Sequence, residues 1–317
     1  MFGILLLFFC LYGLLLIGVL NDYHKGVLIF IGINIIAAAS LNLATGFLGQ
    51  LALGHAGFIA IGAYSAAIFS KWANATLPLP DMAVFILSLL IAGAIAAVFG
   101  ILIGIPALRL RGDYLGIVTL GFGEIIRISI FNLKFTGGAR PYMGIPNYSG
   151  FIQIFFLVVI VLTALYLLIR SRHGRAILSI REDEIAAESV GIPTTFYKIF
   201  GFATSAFFAG IAGAAMAFKL SIIDPKKFTF MFSVEIFVIV VLGGMGSLTG
   251  TVIAAVVLGI LNEFLHYVDK FRLVLYSLLL IGMMIFRPEG LFGTREFSFA
   301  GFVRKMVAKN KQKKETV

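Results

Sequence analysis

Residues 82–104, MAVFILSLLIAGAIAAVFGILIG, form an apolar run without one charged side chain. At about 1.5 Å of helical rise per residue, such a run crosses the roughly 30 Å hydrocarbon layer of a bilayer. Comparable runs lie at about 2–20, 27–45, 50–70, 114–132, 151–169, 196–218, 228–242, 250–266 and 272–286. Barrel strands would alternate polar and apolar residues and be half as long, so continuous runs specify helices. The 317-residue chain has a mean hydropathy of +1.05 and only 13% charged residues, against about 25% in soluble domains. The expected fold is all-α, a polytopic transmembrane helical bundle of about 8–10 membrane-spanning segments. The runs at 50–70, rich in glycine, and 228–242, short and carrying Glu235, are the weakest. Either reads as a re-entrant or broken helix.

The net charge of +10 sits beside span ends and in the tail Arg304–Lys314. That placement argues against a nucleic-acid partner and for contact with anionic membrane lipid. Arg109 and Arg111, then Arg170, Arg172, Arg175 and Arg181, then Arg287, Arg295 and the tail mark cytoplasmic segments. Lys134 and Arg140 fall outside, against the rule. Both termini are then cytoplasmic. Residues 1–295 form one membrane domain with a cytoplasmic loop at about 170–195, and residues 296–317 form a basic cytoplasmic tail. The single cysteine, Cys10, excludes an internal disulfide. Residues 2–20 lack a basic leader and a small-residue cleavage site, and read as a retained span.

Inside this apolar chain, residues 170–193, RSRHGRAILSIREDEIAAESVGIP, form a charged island. Ser179 and Glu182 have capping-box spacing, Gly191 suits a left-handed helix end, and Pro193 stops continuation. The spacing predicts a short amphipathic helix with Ala186, Ala187 and Val190 on one face and Glu184 and Glu188 on another. It is either a docking element for a soluble protein or an ordinary solvated loop helix.

Three further constellations interrupt the spans. In NLATGFLGQLALGHAGF, residues 42–58, the polar Asn42, Gln50 and His55 accompany several glycines. A discontinuous helix there would present backbone groups to a solute; the alternative is a packed helix pair whose polar residues are hydrogen-bonded, and a lone histidine favours that role for His55. Glu124 and Arg127 lie near the middle of their span at i, i+3 spacing, as a structural ion pair or as a lining of the path. LGGMGSLTG, residues 242–250, lacks the lysine of a phosphate loop and reads as a tight turn between helices. Gly100/Gly104, Gly112/Gly116, Gly210/Gly213 and Gly246/Gly250 have the spacing of close helix packing.

No hydrolase, redox, dinucleotide or metal motif is present in the sequence, and the four histidines are scattered. The chain reads as a non-enzyme without a cofactor of its own. An ion-coupled secondary transporter would need intramembrane acids and internal repeats; Glu124 is the one acid near a midplane, and no repeat is clear. A membrane-embedded enzyme would need clustered catalytic side chains, and a mere scaffold would not need the polar block at 42–58.

Glu184-Ile-Ala-Ala-Glu-Ser-Val-Gly191 resembles the EAA-type loop of ABC importer permeases. With NLATGFLGQLALGHAGFIAIGAY, GRAILSIREDEIAAESVGI, YKIFGFATSAFFAGIAGAAMA, VIVVLGGMGSLTGTVIAA and IFRPEGLFG, most of residues 30–293 resembles the LivM-type permeases of branched-chain amino acid ABC transporters. The resemblance implies a subunit in the bacterial inner membrane, paired with a second, LivH-like permease, two ATPase subunits that bind ATP and magnesium, and a periplasmic substrate-binding protein. It implies that Glu184, Ala186, Ala187, Glu188 and Gly191 form the coupling helix, and it places Asn42, Gln50 and His55 near the path. Similar permeases also carry urea, short amides and other amino acids. The outer stretch TGGARPYMGIP departs from the family's usual short glycine turn, which bears on partner or substrate choice.

Overall fold

The computed structural model describes residues 21–110 and 112–265 with the isolated positions 274, 278, 281 and 282. The expected span at 2–20, nearly all of that at 272–286, Cys10, Arg111, His266 and the basic tail lie outside the described residues.

Among the described residues, ten continuous α-helices follow in order: α1 Asp22–Asn42, α2 His55–Thr76, α3 Asp81–Ala107, α4 Asp113–Asn132, α5 Phe151–Arg170, α6 Arg172–Glu182, α7 Glu184–Ser189, α8 Thr194–Leu220, α9 Phe230–Gly243 and α10 Leu248–Leu265. A π-helical turn, Leu43–Phe47, continues α1. The runs Asp22–Phe47, Asp81–Ala107, Tyr114–Asn132, Phe151–Arg170 and Thr194–Leu220 are long and apolar enough to cross a membrane. The weak run at 50–70 becomes α2, with a break before it. The short run near 228–242 becomes α9.

The centre of the bundle is α8, against which α2, α3 and α1 pack. Small residues explain how. A Cβ on Gly213 would stand 2.0 Å from the Ile59 carbonyl oxygen, one on Gly62 2.1 Å from that of Gly210, and one on Gly210 2.6 Å from that of Ala92. Backbone touches backbone here, so dispersion contact replaces the hydrophobic drive that lipid cannot supply. Gly100 meets the backbone of Ala203 and the methyl of Ala206 in the same way. The spacing misleads at Gly112/Gly116. Gly112, at φ +60°, has open space where a side chain would be, and Gly116 makes ordinary contacts with Leu51 and Leu53. Gly112 belongs to the α3–α4 turn, and Gly116, inside α4, meets side chains only, so this pair marks no backbone-to-backbone contact.

Two polar ends bound the bundle. One gathers the π turn, Gly112, α6, α7, the start of α8 and the α9–α10 turn. The opposite end carries a two-stranded antiparallel pair, β1 Tyr142–Met143 with β2 Ile222–Ile223. There Lys71 Nζ donates to the Met143 carbonyl at 2.8 Å and lies over the Tyr142 ring, 4.6 Å from its centroid. The positive-inside pattern is weaker than the sequence suggests. Lys25, Lys71 and Lys219 join Lys134, Arg140, Lys226 and Lys227 at this end, so among the described residues lysine and arginine do not decide sidedness.

Candidate functional site

The chain breaks between α1 and α2, and the break is closed by side chains of its own bundle. Thr45 Oγ donates to the Leu41 carbonyl at 2.9 Å, and Leu48 N–H reaches back to Leu43, which widens the helix into a π turn. Asn42 is wholly buried. Its amide donates to the Ser247 carbonyl at 3.0 Å and Thr251 Oγ at 2.7 Å, and its oxygen accepts from Gly246 N–H at 2.8 Å. The α9–α10 turn is thereby fastened to the π turn. Gly46 must be glycine, because a Cβ there would lie 2.2 Å from the Gly246 nitrogen. The LGGMGSLTG stretch is a tight turn, with Gly244 at φ +106° and Gly246 at φ +89°.

Beyond the break, the start of α2 is capped from elsewhere. Leu53 N–H donates to Thr119 Oγ on α4 at 3.1 Å, and Ala56 N–H donates to Ser233 Oγ on α9 at 2.9 Å. These satisfy amides that a helix start leaves without partners. His55 is buried, with Nε2 2.8 Å from Ser40 Oγ. Ser40 commits its hydrogen to the Ala37 carbonyl at 2.7 Å, so His55 Nε2 is the donor. Asn42 and His55 therefore hold the break together. Gln50 is half-buried and lines a cavity.

The charged island folds as two helices. Ser179 does not open a helix. It lies inside α6 and its Oγ donates to the Ala176 carbonyl at 2.8 Å. Asp183 is the cap: it separates α6 from α7, and its carboxylate accepts from Ile185 N–H at 2.9 Å and Ala186 N–H at 3.0 Å. Glu182, the expected partner of Ser179, is the last residue of α6, and Asp183, which the sequence reading does not single out, takes the extended backbone of a cap. Gly191, at φ +85°, ends α7 in the left-handed conformation. The expected small-residue face divides. Ala187 is buried against the bundle, while Ala186, Glu188, Ile185 and Val190 are exposed, the last two at 72% and 76%.

What fixes α7 is a residue the island does not contain. Lys198, on the first turns of α8, is 5% exposed, and its Nζ lies 2.6 Å from Glu184 Oε1. A lysine at the third position of the apolar run 196–218 is the sequence signal for this pair. Arg181 makes a second tie: its Nη1 donates to the Gly46 carbonyl at 2.9 Å, and it also pairs with Glu182. Between these ties lies a polar cavity of about 280 Å³ lined by Gln50, Leu51, Gly112, Arg181, Asp183, Glu184 and Lys198, among others. Gln50 and Glu184, predicted separately, thus share one site. Glu124 and Arg127 do not join it. They form a bidentate i, i+3 pair on α4, with Arg127 Nε 2.9 and 3.0 Å from the carboxylate oxygens. Their side chains stay 39% and 22% exposed, beside Gly123, which packs on Gly54 of the break.

Residues 24–287 match the family described as branched-chain amino acid transport system / permease component. The high-affinity branched-chain amino acid transport system permease proteins LivM of Salmonella typhimurium and Escherichia coli are each 37% identical to this chain over 294 residues, covering 82% of it and 67% of the relative. The LivH permease protein of Escherichia coli is 28% identical over 182 residues, 56% of this chain and 59% of LivH. No solved structure matches.

Proposed function

Because this chain belongs to the family of branched-chain amino acid transport permease components, we propose that it is a membrane subunit of a bacterial ABC importer for branched-chain amino acids. The observation that carries this reading is α7: a capped, exposed apolar helix tip pinned by Lys198 to a long membrane helix and facing the break between α1 and α2 across a polar cavity. Of two ATPase subunits, with ATP and magnesium, one docks on this end through Ile185, Ala186, Glu188 and Val190, and the other on the second permease. Glu184, Ala187 and Gly191 hold the helix in place. This end is then cytoplasmic, and the β1–β2 end meets a substrate-binding protein outside the inner membrane.

The pair Glu124–Arg127 supports a second permease subunit. A charge at mid-membrane costs on the order of 2.5–3.5 kcal/mol when exposed to lipid, and this pair is only partly covered by its own chain. We place that face of α4 along the translocation path, closed on its far side by a LivH-like partner. Similarity of the chain to both LivM and LivH supports two related permeases around one path.

The test is co-expression with candidate permease, ATPase and binding-protein subunits. Labelled leucine uptake is expected only with the full set, and Ile185→Asp is expected to abolish ATPase copurification while the chain still inserts. Ion-driven leucine uptake by this chain alone in liposomes would overturn the proposal.

A further inference from the structure

We propose that Arg181 is the positioning residue that carries motion of α7 into the helix break. The proposal rests on the reading of α7 as the ATPase docking element and assigns the residue that transmits the docking.

Three structural facts converge on this side chain. Its Nη1 donates to the carbonyl of Gly46, at a sequence separation of 135 residues, inside the π turn. Its path runs between two backbones that lack side chains: a Cβ on Gly49 would stand 2.8 Å from Arg181 Cγ, and one on Gly246 2.7 Å from Arg181 Nη1. Both glycines have left-handed φ, +74° and +89°, conformations that glycine adopts without strain. On its own side, Arg181 is the second-last residue of α6 and precedes the Asp183 cap of α7 by two. Its Nε lies 3.1 Å from the Glu182 carboxylate, and Nη2 contacts the same group.

Arg181 therefore bonds the π turn and passes close to the α9–α10 turn from the joint that bears α7. The planar guanidinium permits this, since separate N–H groups point to Gly46 and Glu182 together. The neighbouring space is a polar cavity of about 280 Å³, so the joint has room to shift relative to the break. A helix that moves with its partner can bias the break only through contacts that differ between states, and the proposal assigns that role to the Arg181–Gly46 bond. Loss of a charge-assisted hydrogen bond shifts an equilibrium by about ten- to a hundredfold.

The experiment compares Arg181→Ala and Arg181→Lys in the assembled importer, measuring ATPase copurification, ATP hydrolysis and labelled leucine uptake per ATP. Arg181→Ala is expected to retain its ATPase and to hydrolyse ATP, while uptake per ATP falls about tenfold or more. Arg181→Lys is expected to recover part of it, because one ammonium can reach Gly46 but cannot hold Glu182 as well. Wild-type uptake per ATP in Arg181→Ala overturns the proposal, as does loss of ATPase copurification, which would make Arg181 an assembly residue. Should Arg181→Ala fail to fold, Arg181→Lys decides: uptake per ATP equal to wild type overturns it. Ile185→Asp, run in parallel, separates the premises. Retained ATPase in that variant removes the docking reading itself, whatever Arg181 does.

Discussion

The pair Lys198–Glu184 makes an asymmetric prediction. Its two members are buried to different extents: the lysine side chain is 6% exposed and the glutamate 28%. Glu184→Gln keeps the shape but leaves a buried ammonium without a counter-charge. Breaking a buried pair in this way costs about 3–5 kcal/mol; with the amide oxygen still accepting a hydrogen bond, the lower end applies, about 3 kcal/mol or roughly a hundredfold in an opening equilibrium. Lys198→Met leaves a carboxylate that water already reaches, and should cost no more than about 1 kcal/mol. The double variant removes both charges and should resemble Lys198→Met alone, giving an interaction of about 3 kcal/mol in the cycle. Hydrogen exchange over residues 184–192 reads this directly, since Ala187 N–H and Ile192 N–H are bonded within the α7 turn. Exchange should accelerate strongly in Glu184→Gln, up to the unprotected limit, and little in the other two. Equal acceleration in both single variants, or additive effects in the double, would refute the reasoning.

Two further outcomes follow from backbone contacts. In Gly213→Ala the new methyl would meet the Ile59 carbonyl, forcing α2 from α8 at a cost of about 1–3 kcal/mol. The thermal midpoint of the detergent-solubilised protein should fall, and an unchanged midpoint would contradict the packing. Asn42→Ala strands the Gly246 amide and removes two donated bonds, leaving a buried group unsatisfied at about 1–3 kcal/mol. Exchange at residues 244–247 should rise while α2 stays protected; a protected turn would show that Asn42 does not hold it.

The membrane helices were legible because apolar length is a local property: residues 82–104 declare α3 without reference to any partner. Gly191 was legible for the same reason, since a left-handed helix end is a single-residue requirement. What the sequence hid depends on pairs far apart in the chain. Asn42 announced a polar need inside lipid but not that Ser247, Thr251 and Gly246 would meet it. Arg181 read as one of several basic residues in a loop, and its bond to Gly46 required the fold. The capping error at Ser179 arose because the S-x-x-E spacing of Ser179 and Glu182 is also compatible with the interior of a helix, and backbone geometry puts the cap at Asp183. Glycine spacing succeeded where a facing helix exists, at Gly100 and Gly210, and failed at Gly112, where there is none.

The break also bounds the work of transport. In the state described, its polar groups are satisfied internally: Asn42 makes three bonds, and Thr119 and Ser233 each take one amide. A path through this region cannot open by solvating free backbone; those bonds must be exchanged for bonds to water, solute or a partner. Each exchange is worth about 1 kcal/mol net, so opening costs a few kcal/mol, comparable to typical coupling energies of about 1–3 kcal/mol between linked sites. A docking event at α7 can supply that much only if its displacement reaches the break undiminished. The ties from α7 to the bundle then have separate duties: Lys198 makes the helix move with α8, and Arg181 makes the break move with the helix. Loosening the first should weaken docking and uptake together, whereas loosening the second should spare docking and cost uptake alone.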